Sequence, residues 1–183
     1  MMEAARMIAK SGAKPKRTIL FIGFAGEEFG LLGAQAWVKA HKDKLPKIAN
    51  LFNRDGGPEP PVGISVPQAM YDDFVKISEP IQKFRPDYPF EVKVREPRKR
   101  PTRMGGTDAS VFAIEGVPTL GFTTEDFKGY DFDYGEIWHT ERDLYTKNIP
   151  EYQEHTATVT AIIALGVANL DKQLSREGLY TEE

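Results

Sequence analysis

The run Thr18-Ile-Leu-Phe-Ile-Gly-Phe24 constrains the fold more than any other part of the chain. It is nearly continuous apolar sequence rich in aromatic and β-branched residues, the pattern of a central strand buried on both faces. Such a strand needs a layer on each side, and helical patterns supply them. Met1 to Ser11 reads as a helix stopped by Gly12. Leu31 to Lys44 reads as a second, with Leu31, Leu32, Ala34, Ala36, Trp37 and Val38 on its apolar side. Met70 to Phe84 reads as a third, which Pro80 should kink or split. Asp108 to Glu115 is a short helix that Gly116 can cap. Glu151 to Leu174 is a long one, with Val159, Ile162, Ile163, Val167, Leu170 and Leu174 on a single stripe.

Ile48 to Asn53 and Val117 to Phe122 read as further buried strands, and Phe90 to Val94 as a half-exposed one. Lys128 to Trp138 is an aromatic, Asp-rich loop. Strands alternating with helices predict an α/β fold, a three-layer sandwich around a mostly parallel central sheet. The 183 residues suit one domain.

Composition excludes several classes of function. A net charge of −3 provides no positive field to attract phosphates, so no nucleic-acid partner is expected. The basic run Arg95 to Arg103 contains two prolines and no interleaved aromatic residue, and reads as a solvated loop. With no cysteine, disulfides, thiolate ligands and a thiol nucleophile are all ruled out. Any metal must therefore be held by carboxylate, imidazole or carbonyl groups. No apolar stretch is long enough to span a bilayer. Met1 to Arg6 lacks the pattern of a signal peptide, and the sequence assigns no location.

In open α/β sheets, function gathers beyond the carboxyl ends of strands. Glu27 and Glu28 follow the first strand, between Gly26 and Gly30. Adjacent carboxylates at the exit of a buried strand repel each other and cost desolvation energy, which a metal ion would offset. The plainer reading places them in the first turn of a helix, where the macrodipole favours acids.

Asp55 follows the second strand, in Asp55-Gly-Gly57; a turn residue, or a salt bridge with Arg54, is the plainer account. His139 lies in Ile137-Trp-His-Thr-Glu-Arg-Asp143, where Trp138, Thr140 and Asp143 could orient an imidazole. Asp108, in Gly105-Gly-Thr-Asp108, reads as a helix N-cap or as part of a mobile active-site loop. His41 and His155 read as structural. Taken together, Glu28, Asp55 and His139 are a suitable donor set for Zn2+, and Glu27 could take a proton beside it.

These segments resemble the di-zinc exopeptidase family, metallopeptidase family 28. Its members include bacterial secreted aminopeptidases, plasma glutamate carboxypeptidase and glutaminyl cyclases. Arg17 to Gly33 resembles the family's strand and Glu-Glu motif. Asn50-Leu-Phe-Asn-Arg-Asp-Gly56 resembles its strand ending in an acidic ligand. Gly105 to Phe112 resembles its Ser/Thr-Asp-His-x-x-Phe loop, with Ala109 in place of the His. His139-Thr-Glu-Arg-Asp143 resembles its His-Thr-x-x-Asp motif.

The resemblance implies that Glu27 is the general base and that Glu28 and His139 are ligands of one zinc. It implies that Asp55 is a ligand of a second zinc. Asp143 would support His139 from the second shell. Asp108 belongs to the active-site loop, and Trp138 stands where some relatives carry an oxyanion-stabilising Tyr. The implied reaction is metal-assisted attack of water on the carbonyl of a peptide or amino-acid amide.

The family's two upstream ligands, a His in His-x-Asp and a bridging Asp, have no counterpart here: no His precedes His41 and no Asp precedes Asp43. The expectation is a single partial catalytic domain over 1–183 that lacks the N-terminal strands. It would hold one zinc weakly or none and would be inactive alone. Oligomers could form through exposed sheet surface. A non-catalytic binding or assembly member of the same fold is the alternative, and a glutaminyl cyclase a more distant one.

Overall fold

A computed structural model describes residues 1–181. Six α-helices and three strands follow one another along the described chain. They are α1 (Met2–Lys10), α2 (Leu32–Ala40), β1 (Pro61–Val66), α3 (Tyr71–Phe84), β2 (Glu91–Val94), α4 (Ala109–Ile114), β3 (Phe122–Thr124), α5 (Tyr134–Ile137) and α6 (Pro150–Asn169). The class is α/β, as the alternating pattern implied. The described sheet has the order β2–β1–β3. β1 runs parallel to β2, with Ile64 opposite Val92, and antiparallel to β3, with Ile64 opposite Phe122. This small sheet is therefore mixed, with one pair of each kind.

Its central strand is one that the sequence pattern did not reveal. Pro61 at its head and Gly63 inside it argue against a strand on local grounds. Tertiary contact overrides them. A Cβ at residue 63 would lie 2.4 Å from the Glu91 carbonyl oxygen, so only glycine lets the parallel neighbour approach. Ile64 and Val66 are almost wholly buried in the main core, with Met70, Phe74 and Ile81 from the α3 region and Val159 and Ile163 from α6.

The helical patterns are largely realised. α3 runs unbroken from Tyr71 to Phe84 with Pro80 inside it, so the expected split does not occur. α6 ends at Asn169, earlier than its apolar stripe suggested. Two hydrogen bonds to the 16–17 segment close it: the Arg17 guanidinium donates to the Leu170 carbonyl, and Asn169 Oδ1 accepts from the Lys16 amide. A cation placed there also complements the helix dipole. Leu174 is still buried, but beyond the helix.

Two expected strands, 18–24 and 48–53, lie outside the described sheet. No residue from 18 to 24 shares a backbone hydrogen bond with another described residue. Ile19 and Phe21 pack against the α1–α6 cluster and Phe24 against the α2–α4 cluster, while Leu20 is 63% exposed. The segment is thus half-buried and not enclosed on both faces. Ile48–Asn53 and Val117–Phe122 lie side by side. They are joined by Leu51 N–H donating to the Pro118 carbonyl, and by the Asn50 side chain, which accepts from Leu120 N–H and donates to its carbonyl. Pro118 has no N–H to extend a ladder. Only Phe122 of the expected strand enters β3.

Candidate metal centre and active site

The acidic pair is presented by a closed turn. Glu27 accepts hydrogen bonds at its carbonyl from Gly30 and Leu31, and the Gly26 and Ala25 carbonyls accept from Leu32 and Gly33. These bonds fold 25–33 back on itself before α2 begins. Because α2 starts at Leu32 and has no acid in its first turn, Glu27 and Glu28 are not there to complement a helix dipole.

The His139 loop reaches them from the far end of the chain. α5, capped by the Asp133 carboxylate accepting from Gly135 N–H, turns the chain toward the acidic pair. His139 sits at φ +56°, a left-handed conformation that costs a non-glycine residue about 1–3 kcal/mol. The Trp138 indole stacks on the imidazole with 4.5 Å between ring centroids. His139 Nε2 lies 3.0 Å from Glu28 Oε2, with both side chains more than half exposed. Strain of this size in an exposed loop is an expense for which folding alone provides no reason.

The Asp55 turn is tied to the same loop. A Cβ at Gly57 would lie 2.5 Å from the Phe132 ring, so the 55–57 turn can pack under that ring only as glycine. Glu28, Asp55, Trp138, His139 and Asp143 line one open cleft of about 640 Å3, a volume that suits a short peptide. Glu27 and Asp108 lie outside that lining, but the carboxylates act on one another electrostatically. Glu27 is raised above the usual carboxylate range by burial first, then by Asp55, Glu28 and Asp108, with His139 opposing. Burial and then Glu28 raise Asp55. Burial and then Asp55 raise Asp108. Asp108 is 8% exposed, and its Oδ1 is enclosed without a hydrogen-bond partner. It occupies the N-cap position of α4, but its side chain caps nothing.

Adjacent ligands of tetrahedral zinc, with bonds of about 2.0–2.2 Å, stand roughly 3.3–3.6 Å apart. Glu28 and His139, at 3.0 Å, fit two such corners with an opening of a few tenths of an ångström. Among the described residues, no third His, Cys, Asp or Glu joins them at metal-binding distance. The structure therefore unites Glu28 with His139 and leaves Asp55 in the same cleft but apart. The Asp143 carboxylate makes no hydrogen bond to the His139 ring; stacked Trp138 is the group that orients it.

His41 and His155 are structural. His41 stacks on Trp37, with Nδ1 2.9 Å from the Trp37 carbonyl oxygen, and His155 is buried against Tyr88. Arg54, Tyr134 and Tyr145 also line the cleft. The only sequence signal for Arg54 was its place beside Asp55. The two tyrosines had no distinctive signal in their aromatic loop.

The model of the peptidase family M28 matches residues 1–163. Carboxypeptidase Q from Mus musculus is 24% identical over 179 residues, covering 95% of this chain and 34% of that protein. Among solved structures, a peptidase M28 precursor from Shewanella amazonensis superposes with a TM-score of 0.72 at 26% identity, covering 94% of this chain and 36% of that one. A zinc aminopeptidase from Bacillus subtilis shares the fold at a TM-score of 0.61 and 17% identity, covering 97% and 42%. The chain thus spans about a third of the length of the curated relatives that it matches. With a family match over most of its length, the chain belongs to the M28 peptidase family.

Proposed function

We propose that this chain carries part of the catalytic site of a zinc-dependent exopeptidase acting on peptides or amino-acid amides. The observation that carries the reading is the 3.0 Å approach of Glu28 Oε2 to His139 Nε2. Glu28 and His139 would hold one zinc ion, and Asp55, on the same cleft, would contribute to a second. When bound, the metal supplies charge stabilisation at the reacting carbonyl and lowers the pKa of water.

The chain's own residues do the rest. Glu27, raised by burial and by three neighbouring carboxylates, is a stronger base than an ordinary surface Glu. It takes the proton from the attacking water and delivers it to the leaving amine. Trp138 stacking and the left-handed backbone hold the imidazole toward Glu28, and the exposed indole N–H is available as a donor to substrate. Exposed Leu20 and Phe29 offer apolar surface through which copies could associate.

A second reading has an observation in its favour: no third donor joins Glu28 and His139 among the described residues. On that reading the chain uses the fold for binding or assembly. Hydrolysis of amino-acid anilides, with glutaminyl substrates alongside, separates the readings. In the presence of zinc and of a segment supplying the family's two upstream ligands, the anilides should be hydrolysed, and Glu27→Gln should lower the rate about 10²–10⁴-fold with zinc binding retained. Absence of hydrolysis despite bound zinc favours the binding reading. Turnover of glutaminyl substrates alone favours a cyclase.

A further inference from the structure

Backbone strain in this chain gathers around the cleft. Among the described residues, three other than glycine take a left-handed φ: Leu31, Asp131 and His139. Leu31 closes the turn that presents Glu27 and Glu28, and His139 meets Glu28. Asp131 lies in neither segment, at φ +54°. Such strain persists only where the surroundings over-determine it, and around Asp131 they do.

The Asp126 carboxylate gathers the loop that contains Asp131. Its Oδ1 accepts from Tyr130 N–H at 3.1 Å, and its Oδ2 from Phe132 N–H at 3.3 Å. The Tyr152 hydroxyl, on α6, donates to Oδ1 at 2.7 Å and accepts from Lys128 N–H at 2.9 Å. Glu151, also on α6, holds the loop again. It accepts from the Tyr130 hydroxyl, from Lys128 Nζ at 2.9 Å and from the Tyr88 hydroxyl at 3.1 Å. Asp126 itself follows the end of β3 by two residues, so the loop is anchored to a strand and to a helix. Hydrogen bonds to an ionised carboxylate are the stronger kind, and several on one side chain make a stiff anchor.

Closing the loop would be complete at Tyr130, but the loop reaches further. Phe132, whose N–H Asp126 holds, lays its ring on Gly57, two residues past Asp55. The next residue, Asp133, caps α5, which leads directly to Trp138 and His139. One carboxylate therefore sets the place of both the ring that covers the Asp55 turn and the helix that delivers His139.

We propose, resting on the metal-centre reading of this cleft, that Asp126 is a positioning residue for that centre. Through Phe132 it aligns the Asp55 turn with the His139 loop, and so fixes how the metal ligands stand to one another. It touches neither metal nor substrate.

The test combines NMR of the metal-free chain with a Co2+ titration. In wild type, Gly57 should carry the ring-current shift of a residue packed on Phe132. Asp126→Ala should remove that shift. It should also speed exchange of the hydrogen-bonded Gly135, Trp138 and Thr140 amides about tenfold or more, with α3 and the second half of α6 unchanged. Asp126→Asn keeps a side-chain carbonyl that can accept, and should restore part of both. Co2+ should bind Asp126→Ala about 10–100-fold more weakly than wild type, with an altered visible absorption that reports ligand geometry. A merely structural role would lower the melting temperature and leave that absorption unmoved. Phe132→Leu removes the ring but keeps the Asp126 bonds; it should change Gly57 and the cobalt absorption in the same direction, and it stands if the alanine variant does not fold. A lost Gly57 shift and faster exchange, with Co2+ bound by neither protein, would defeat the metal-centre reading and leave the alignment standing. Unchanged Gly57 and loop amides in a folded Asp126→Ala variant, or cobalt affinity and absorption equal to wild type once the loop has loosened, would overturn the proposal.

Discussion

Two of the chain's three histidines stand in opposite circumstances. His155, on α6, is 1% exposed, stacks on Tyr88 with 4.0 Å between centroids, and has Nε2 3.2 Å from the Pro61 carbonyl oxygen. Its other nitrogen is enclosed without a partner. Burial pushes its pKa down to about 4, so it is a neutral part of the core. His139 is exposed, strained and aimed at a carboxylate.

The same contrast separates the regions around them. The sheet, α3 and α6 are held by apolar burial that needs nothing further. The 25–33 turn, the 55–57 turn and the loop that ends at Asp108 bring together acids that raise one another, which a cation would relieve. The difference teaches that stability and chemistry are housed separately here, and each can be perturbed without the other.

The largest effect should come from the core half. Phe74 is fully buried between the sheet and α6, and Phe74→Ala should destabilise the chain by about 3–5 kcal/mol in urea unfolding. If the site half were equally structural, Glu28→Ala or His139→Ala would cost as much. Both are expected to shift metal-free stability by no more than about 0.5 kcal/mol, as exposed positions do.

A pH series sharpens the contrast next. A histidine depressed to about 4 in the folded chain, against about 6.5 when unfolded, binds its proton preferentially in the unfolded state. Its contribution is therefore fully present above pH 6.5 and is lost progressively as pH falls toward 4. The loss is on the order of 3 kcal/mol. Burial dominates this shift, the Pro61 carbonyl opposes it, and the charges of Arg85, Asp87 and Lys128 modify it. Urea midpoints of wild type and His155→Gln across that window should converge as pH falls. Parallel curves would show that His155 does not titrate as described.

How far the sequence alone revealed each half follows the same division. α3 and α6 were readable because a 3.6-residue stripe survives in any context. β1 was hidden because its local signals, Pro61 and Gly63, oppose a strand, and the reason for Gly63 lies across the sheet at Glu91. Thr18 to Phe24 was read as a central strand, but it joins no described strand and is half-buried, since pairing and burial depend on neighbours that no local pattern records. At the site, Glu28 and His139 were found through their motifs and do meet. The stacking of Trp138 on His139 was not legible, because it arises from tertiary placement.

The central claim is that Glu28 and His139 act together on one metal ion. Calorimetric titration of Zn2+ into wild type, Glu28→Ala, His139→Ala and the double variant tests it directly. Each single substitution should weaken binding about tenfold or more, and the double variant should lose little beyond either single, because the two losses concern one shared ion. Zinc affinity unchanged in both single variants would contradict the account.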